Sequence, residues 1–190
     1  MVNLIEERQL LKGLNIYLIG MMGAGKTTVG KFLAQQLQYR FFDTDVLLSQ
    51  VVGQSVSEIF ASSGEDTFRE LESKVLSELS AYTYLVAATG GGIVLRRENW
   101  SYLQQGLIVW LDVPIEILTA RLESDNSRPL LQDGNLVTKL ESLWEQRQKL
   151  YAQADLRIII DREETPEEIA LRVVQTIPQV LKSKPIPPDN

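Results

Sequence analysis

The segment GMMGAGKTTVG, residues 20–30, gathers four glycines, a lysine and two threonines directly behind the apolar run NIYLI. Residues 20–27 satisfy G-x-x-x-x-G-K-[ST] between a predicted strand and a predicted helix, the setting in which this pattern holds phosphate. Gly20, Gly23 and Gly25 allow a tight turn whose N–H groups converge on one oxyanion, and the following helix adds its positive end. Lys26 then neutralises β- and γ-phosphates, and Thr27 offers a hydroxyl to a Mg²⁺ ion bridging them. A plain Gly-rich turn would leave the fixed Lys-Thr pair without a reason.

A phosphate loop usually draws a second Mg²⁺ contact from a carboxylate at a strand end. The strand YLVAAT ends without one, whereas YRFFDTD supplies Asp43 and Asp45. In a parallel sheet both would sit near the phosphate loop, at the carboxyl ends of the strands. If the chain stayed extended, the two would share a face. Asp43 is assigned to the metal's water shell and Asp45 to an acceptor hydroxyl. The competing role for one of them is the N-cap of the helix that follows.

Two arginines fall where apolar residues belong. In LVTKLESLWEQRQKLYAQA, Arg147 lies four beyond Leu143 and three before Leu150, on the buried stripe. A guanidinium there is costly unless an anion pairs with it, and its fork fits a carboxylate. Arg69, on the shoulder of the Phe68, Leu71, Val75, Leu79 stripe, raises the same question. Spacing leaves open a structural bridge to an internal carboxylate, but two such arginines could clamp a small acid. TGGGIVL, from Thr89, puts three glycines after a strand, where a ligand can approach the backbone or where the chain merely turns. Arg128, in the polar stretch SDNSRPLLQDGN, is either a surface arginine or a cation able to swing over a transferring phosphoryl group.

Short apolar runs alternate with helical periodicity, which predicts β-α-β-α order and a mainly parallel sheet. Strands are expected at 16–19, 40–42, 84–88, 107–111 and 156–160. Helices are expected at 26–37, 45–52, 57–61, 65–79, 98–104, 115–123, 136–152 and 167–177. The 190 residues suit one domain at 14–180 with a lid at about 124–135, preceded by an N-terminal extension at 1–13 and followed by a disordered tail at 181–190. With no Cys and no His, chemistry must rest on carboxylates, Lys, Arg, hydroxyls and backbone. A formal charge of −6 argues against nucleic-acid and membrane partners. The apolar stretch from Leu14 to Met22 is too short to span a bilayer, and EERQLLKG before it is not a targeting segment, which predicts the cytoplasm.

Taken in order, GMMGAGKTTVG, FFDTD, GEDTFRELE, TGGGIVL, RPLL and EQRQKLY resemble the shikimate kinase family over roughly residues 14 to 175. The resemblance implies a three-layer α/β/α P-loop fold of the nucleoside-monophosphate-kinase kind, with a five-stranded parallel sheet. It implies a monomer that uses ATP with Mg²⁺ as cofactor to phosphorylate the 3-hydroxyl of shikimate, a step toward chorismate and the aromatic amino acids. By that resemblance Asp45 holds the acceptor hydroxyls, Arg69 and Arg147 bind the carboxylate, and Gly91 contributes a backbone contact. Thr27 and, through water, Asp43 serve Mg²⁺. Lys26, Asp45 and Arg128 form the catalytic set. ATP is expected to meet Gly23, Ala24, Gly25, Lys26, Thr27, Thr28, Arg121, Arg128 and Arg162, with Arg121 against adenine. A kinase for gluconate or a nucleoside monophosphate is the nearest rival, and it explains the arginine pair less well. A GTPase switch should carry N-K-x-D, which the sequence lacks.

Overall fold

The computed structural model describes residues 9–123, 135–161 and 163–183. Five strands, β1 (Ile16–Ile19), β2 (Arg40–Asp43), β3 (Leu85–Ala88), β4 (Leu107–Asp112) and β5 (Leu156–Ile159), form one sheet in the order β2-β3-β1-β4-β5. All four pairings are parallel. Every residue of β1 and β3 is buried, as expected of strands covered on both faces, whose sequences read as continuous apolar runs. At the edge, β5 alternates instead, with Leu156 and Ile158 inward and Arg157 and Ile159 outward.

The helices are α1 (Lys26–Leu37), α2 (Thr44–Val52), α3 (Val56–Ser80), α4 (Arg97–Leu103), α5 (Ile115–Leu122), α6 (Leu136–Tyr151) and α7 (Pro166–Ser183). Gly64, with φ 80° and ψ 172°, breaks α3 in two, which matches the separate helices expected on either side of it. Ser55 and Glu58 close a capping box at the start of α3, and Asn135 caps α6 through the amides of Val137 and Thr138. The three-layer α/β/α architecture is the one the family resemblance implies, and the parallel sheet the one the alternation predicts.

Differences from the expected elements are local. Tyr84 drops out of β3 because its φ of 59° turns the backbone left-handed. The helix expected to end at 177 continues through Pro178 to Ser183, so residues 181–183 of the expected tail are helical. A proline inside a helix removes one N–H and crowds the preceding turn, and here the helix tolerates it. Leu11, from the expected N-terminal extension, is fully buried in the core. The Gly13 carbonyl accepts a hydrogen bond from the Tyr84 amide at 3.0 Å, which ties this segment to the start of β3. The expected lid, apart from Asn135, lies outside the described residues, as do Arg128 and Arg162. Among the described residues no helix is long and apolar enough to cross a membrane.

Sheet order sets the site. Because β3 lies between β2 and β1, Asp43 pairs in register with Ala88, and Ala88 with Leu18. The three segments that leave these strands, residues 20–25, 44 onward and 89–92, therefore emerge side by side at one edge of the sheet. Ligands of open α/β sheets collect at that edge.

Candidate active site

The first of these segments is the phosphate loop. Its last residue, Gly25, is the N-cap of α1 at φ 88° and ψ 14°, a left-handed geometry that a residue with a Cβ adopts at a cost. No side chain caps α1, so its opening amides are left for another acceptor. Lys26 is buried, and its Nζ donates to the carbonyl oxygens of Gly20 at 2.9 Å and Met21 at 2.8 Å. Arg121, at the end of α5, donates from Nη1 to the Gly23 carbonyl at 3.1 Å and so rests on the loop. Ala24 is buried in the loop, and Thr28 is exposed on the first turn of α1.

The second segment carries the carboxylates. The chain does not remain extended beyond Asp43 but enters α2 at Thr44, so Asp43 and Asp45 do not share a strand face. The capping role falls to Asp43, whose Oδ1 accepts from the amides of Asp45 at 3.0 Å and Val46 at 3.3 Å. Its other oxygen, Oδ2, accepts from the Thr27 hydroxyl at 2.6 Å. One carboxylate thus fixes the turn into α2 and meets the first turn of α1. Asp45, one residue into α2, lines a cleft instead.

That cleft has a volume of about 300 Å³ and brings together Asp45, Arg69, Gly91 and Arg147, the four residues the sequence assigns to the acceptor. Met22 of the phosphate loop joins its wall, as do Phe60 and Phe68 from α3. Glycine is required at its floor. A Cβ on Gly90 would collide with the Glu72 carboxylate and lie 3.0 Å from Asp45 Oδ1. A Cβ on Gly92 would collide with the Arg69 guanidinium. Gly90 and Gly92 therefore admit charged side chains against the backbone, which a plain turn does not need.

The two arginines differ in state. Arg69 takes the bridging role that the spacing left open: Nη1 reaches Glu72 Oε2 at 2.9 Å and Nη2 reaches Glu65 Oε1 at 2.9 Å. Arg147 is 2% exposed, and its Nε and Nη1 have no hydrogen-bond partner. A buried guanidinium whose donors meet no protein acceptor is costly, and an anion in the cleft would relieve that cost.

Burial drives two further shifts in the site. Glu72, fully buried, has its pKa raised by desolvation; Arg69 opposes this and Asp45 adds to it. Tyr151, at the end of α6, is pushed up to about 12 by burial against the pull of Arg147. Its hydroxyl donates to the Gly91 carbonyl at 2.6 Å.

Sequence reasoning missed Glu72 and Tyr151 as parts of the site. Both carried a signal: Glu72 lies three residues after Arg69 and Tyr151 four after Arg147, the intervals that stack side chains on one helix face.

Comparison with known proteins gives one family. A family model described as shikimate kinase matches residues 22–178. A curated shikimate kinase of Nostoc sp. (strain PCC 7120) is 62% identical over 173 residues, covering 91% of this chain and 96% of that protein. One from Rippkaea orientalis is 54% identical over 180 residues, covering 95% and 96%. Among solved structures, the shikimate kinase of Acinetobacter baumannii in complex with shikimate superposes with a TM-score of 0.86 at 38% identity, covering 91% of this chain and 97% of that one.

Proposed function

The chain belongs to the shikimate kinase family, and from that premise we propose how its residues divide the work of moving the ATP γ-phosphoryl group to the 3-hydroxyl of shikimate. The activity is that of an ATP-dependent kinase. The new bond joins the acceptor oxygen to the γ-phosphorus, the bond from that phosphorus to the β,γ-bridging oxygen breaks, and the hydroxyl proton leaves.

The observation that carries the residue assignment is the buried Arg147, whose Nε and Nη1 lack partners in the wall of the cleft. Its unmet donors call for a small anion, and a single carboxylate could accept from Nη1 together with Nη2 or from Nε together with Nη2, the two forks of a guanidinium. A neutral polyol would leave them poorly satisfied. A phosphate monoester would bring a second negative charge beside Asp45 and Glu72. Arg69, already neutralised in part by Glu65 and Glu72, supplies the second arm.

In-line displacement needs position and charge relief more than covalent help. Asp45 orients the acceptor hydroxyl and takes its proton late in the transfer. Gly91 offers backbone polarity at the same wall. On the nucleotide side, Gly23, Ala24, Gly25, Lys26, Thr27 and Thr28 enclose the phosphates, and Arg121 stands at the edge of the loop toward the adenine. Lys26 meets the phosphoryl oxygens, with Arg128 assigned to the same charge from the lid segment and Arg162 to the nucleotide.

The paired Thr27 hydroxyl and Asp43 carboxylate are hard oxygen donors of the kind Mg²⁺ takes. The Thr27 hydroxyl donates a hydrogen bond to Asp43, which would leave its lone pairs for a cation. These two residues would hold the ion, Asp43 through water, and the ion's contribution would be to screen phosphate charge.

An ADP-release assay with shikimate, gluconate and nucleoside monophosphates run in parallel tests the reading. Shikimate-dependent turnover at least a hundredfold above the others is expected; equal turnover with gluconate, itself a carboxylate, would overturn shikimate as the acceptor, and turnover with a nucleoside monophosphate alone would overturn the role given to the arginines.

A further inference from the structure

Tyr151 is absent from the residue roles above, yet it touches both halves of the site. It is fully buried at the last residue of α6, one turn beyond Arg147. Its ring stacks on Trp110 of β4, with centroids 5.9 Å apart. Its hydroxyl donates to the Gly91 carbonyl at 2.6 Å and lies 3.8 Å from the Met21 sulfur. Met21 belongs to the phosphate loop and its carbonyl holds Lys26 at 2.8 Å. Gly91 itself lies close to that loop, since a Cβ there would stand 3.3 Å from the Met22 amide nitrogen and 3.6 Å from Arg147 Nη1.

We propose that Tyr151 is a positioning residue for the acceptor: through the Gly91 carbonyl it sets the distance of the glycine segment from Arg147 and from the phosphate loop. The inference rests on the reading of the cleft as the shikimate site. Its physical basis is a fixed ring carrying a single polar atom. Stacking on a central strand and full burial leave the phenol few conformations, so its O–H specifies where one carbonyl must lie. The peptide after that carbonyl begins at Gly92, whose lack of a Cβ admits Arg69. A shift of this segment would therefore displace the backbone contact and both guanidinium arms relative to one another. A misplacement of about 1 Å is enough to weaken a shared grip on a small rigid ligand.

The test compares Tyr151→Phe with the unchanged protein in steady-state kinetics at varied shikimate and varied ATP. Phe keeps the ring on Trp110 and removes the hydroxyl, with its bond to Gly91 and its contact with Arg147. The shikimate KM should rise about tenfold, as for one buried hydrogen bond left unmade, while the ATP KM stays within about twofold. A second variant without the hydroxyl, Tyr151→Met, should show the same split. A role confined to stability predicts lower melting temperature with both KM values unchanged, and that result, or a parallel rise of both, overturns the proposal. Arg147→Lys serves as the reference. If it raises the shikimate KM and Tyr151→Phe does not, only the positioning role fails; if neither changes it, the reading of the cleft fails too.

Discussion

Replacing Arg147 by Met should move binding and stability in opposite directions. In the ligand-free protein Arg147 is 2% exposed, with Nε and Nη1 unpartnered. Each buried donor without an acceptor costs about 1–3 kcal/mol. Methionine fills much of the same volume with no polar atom. Part of the gain is lost because the Arg147 charge also favours ionised Glu72. A net stabilisation of about 1 kcal/mol remains, which for a chain of this size raises the melting temperature by about 2–4 °C. With shikimate the sign reverses. Two hydrogen bonds to a carboxylate, at about 1.5–3 kcal/mol each and less the desolvation of the acid, leave about 3–4 kcal/mol to lose. That corresponds to about a 10²–10³-fold fall in kcat/KM for shikimate. Differential scanning calorimetry with and without shikimate, beside initial-rate kinetics, reads both effects. Shikimate should raise the melting temperature of the unchanged protein and hardly that of the variant. A variant that melts several degrees lower and keeps the shikimate KM would refute the reasoning, because Arg147 would then be a structural pin.

Three further outcomes are expected. Asp45→Asn should retain ATP affinity by calorimetry and lose about 10²–10⁴-fold in turnover; unchanged turnover removes Asp45 from the mechanism. Asp43→Asn keeps an oxygen for the α2 cap but weakens the cation site, so the Mg²⁺ concentration for half-maximal rate should rise several-fold with little change in melting temperature, whereas Asp43→Ala should also cost about 1 kcal/mol of stability. Glu72 has a raised pKa in the fold, so above its unfolded value of 4.5 the folded state binds more protons than the unfolded one. Its contribution to stability is therefore complete below that pH and declines as pH rises through the folded pKa. Glu72→Gln should remove this slope from a melting series across the acidic range. The capping-box carboxylate of Glu58 has the opposite sign: its pKa is lowered by the Ser55 amide and hydroxyl, so its support is present above 4.5 and fades as pH falls through the lowered value. Superimposable curves for the unchanged protein and Glu72→Gln would contradict the assignment.

What could be read from sequence follows from which interactions are local. A parallel sheet buried on both faces writes itself as apolar runs, so β1, β3 and β4 were found to within a residue or so. The phosphate loop is legible because its function is backbone geometry, which only certain residues permit. Arg147 was legible as a contradiction, a guanidinium on an apolar stripe. The two aspartates were harder. Whether Asp43 or Asp45 caps α2 depends on where the chain abandons the extended form, and nothing in FFDTD fixes that to one residue. Likewise the end of α7 was set too early at 177, because Pro178 reads as a stop when tertiary packing is unknown.

Glu72 and Tyr151 were missed for a different reason. Their signals were intervals within a helix, but the partners that give those intervals meaning come from other segments. Glu72 matters because Gly90 lacks a Cβ and lets its carboxylate approach, and Tyr151 because Gly91 brings a carbonyl within reach of its hydroxyl. The glycine run is thus the common term. It is read from sequence as freedom of the backbone, whereas in the fold Gly90 and Gly92 work as space for buried charge, Glu72 against Gly90 and Arg69 against Gly92, while Gly91 packs against the phosphate-loop backbone and near Arg147. Of these three charged groups, Arg69 and Glu72 pair at 2.9 Å with Glu72 Oε1 left unpartnered, and Arg147 is the cation whose Nε and Nη1 have no acceptor. On the proposed reading Arg147 takes one added negative charge, which an acid with a single carboxylate and a ring of hydroxyls would supply while leaving a hydroxyl for Asp45.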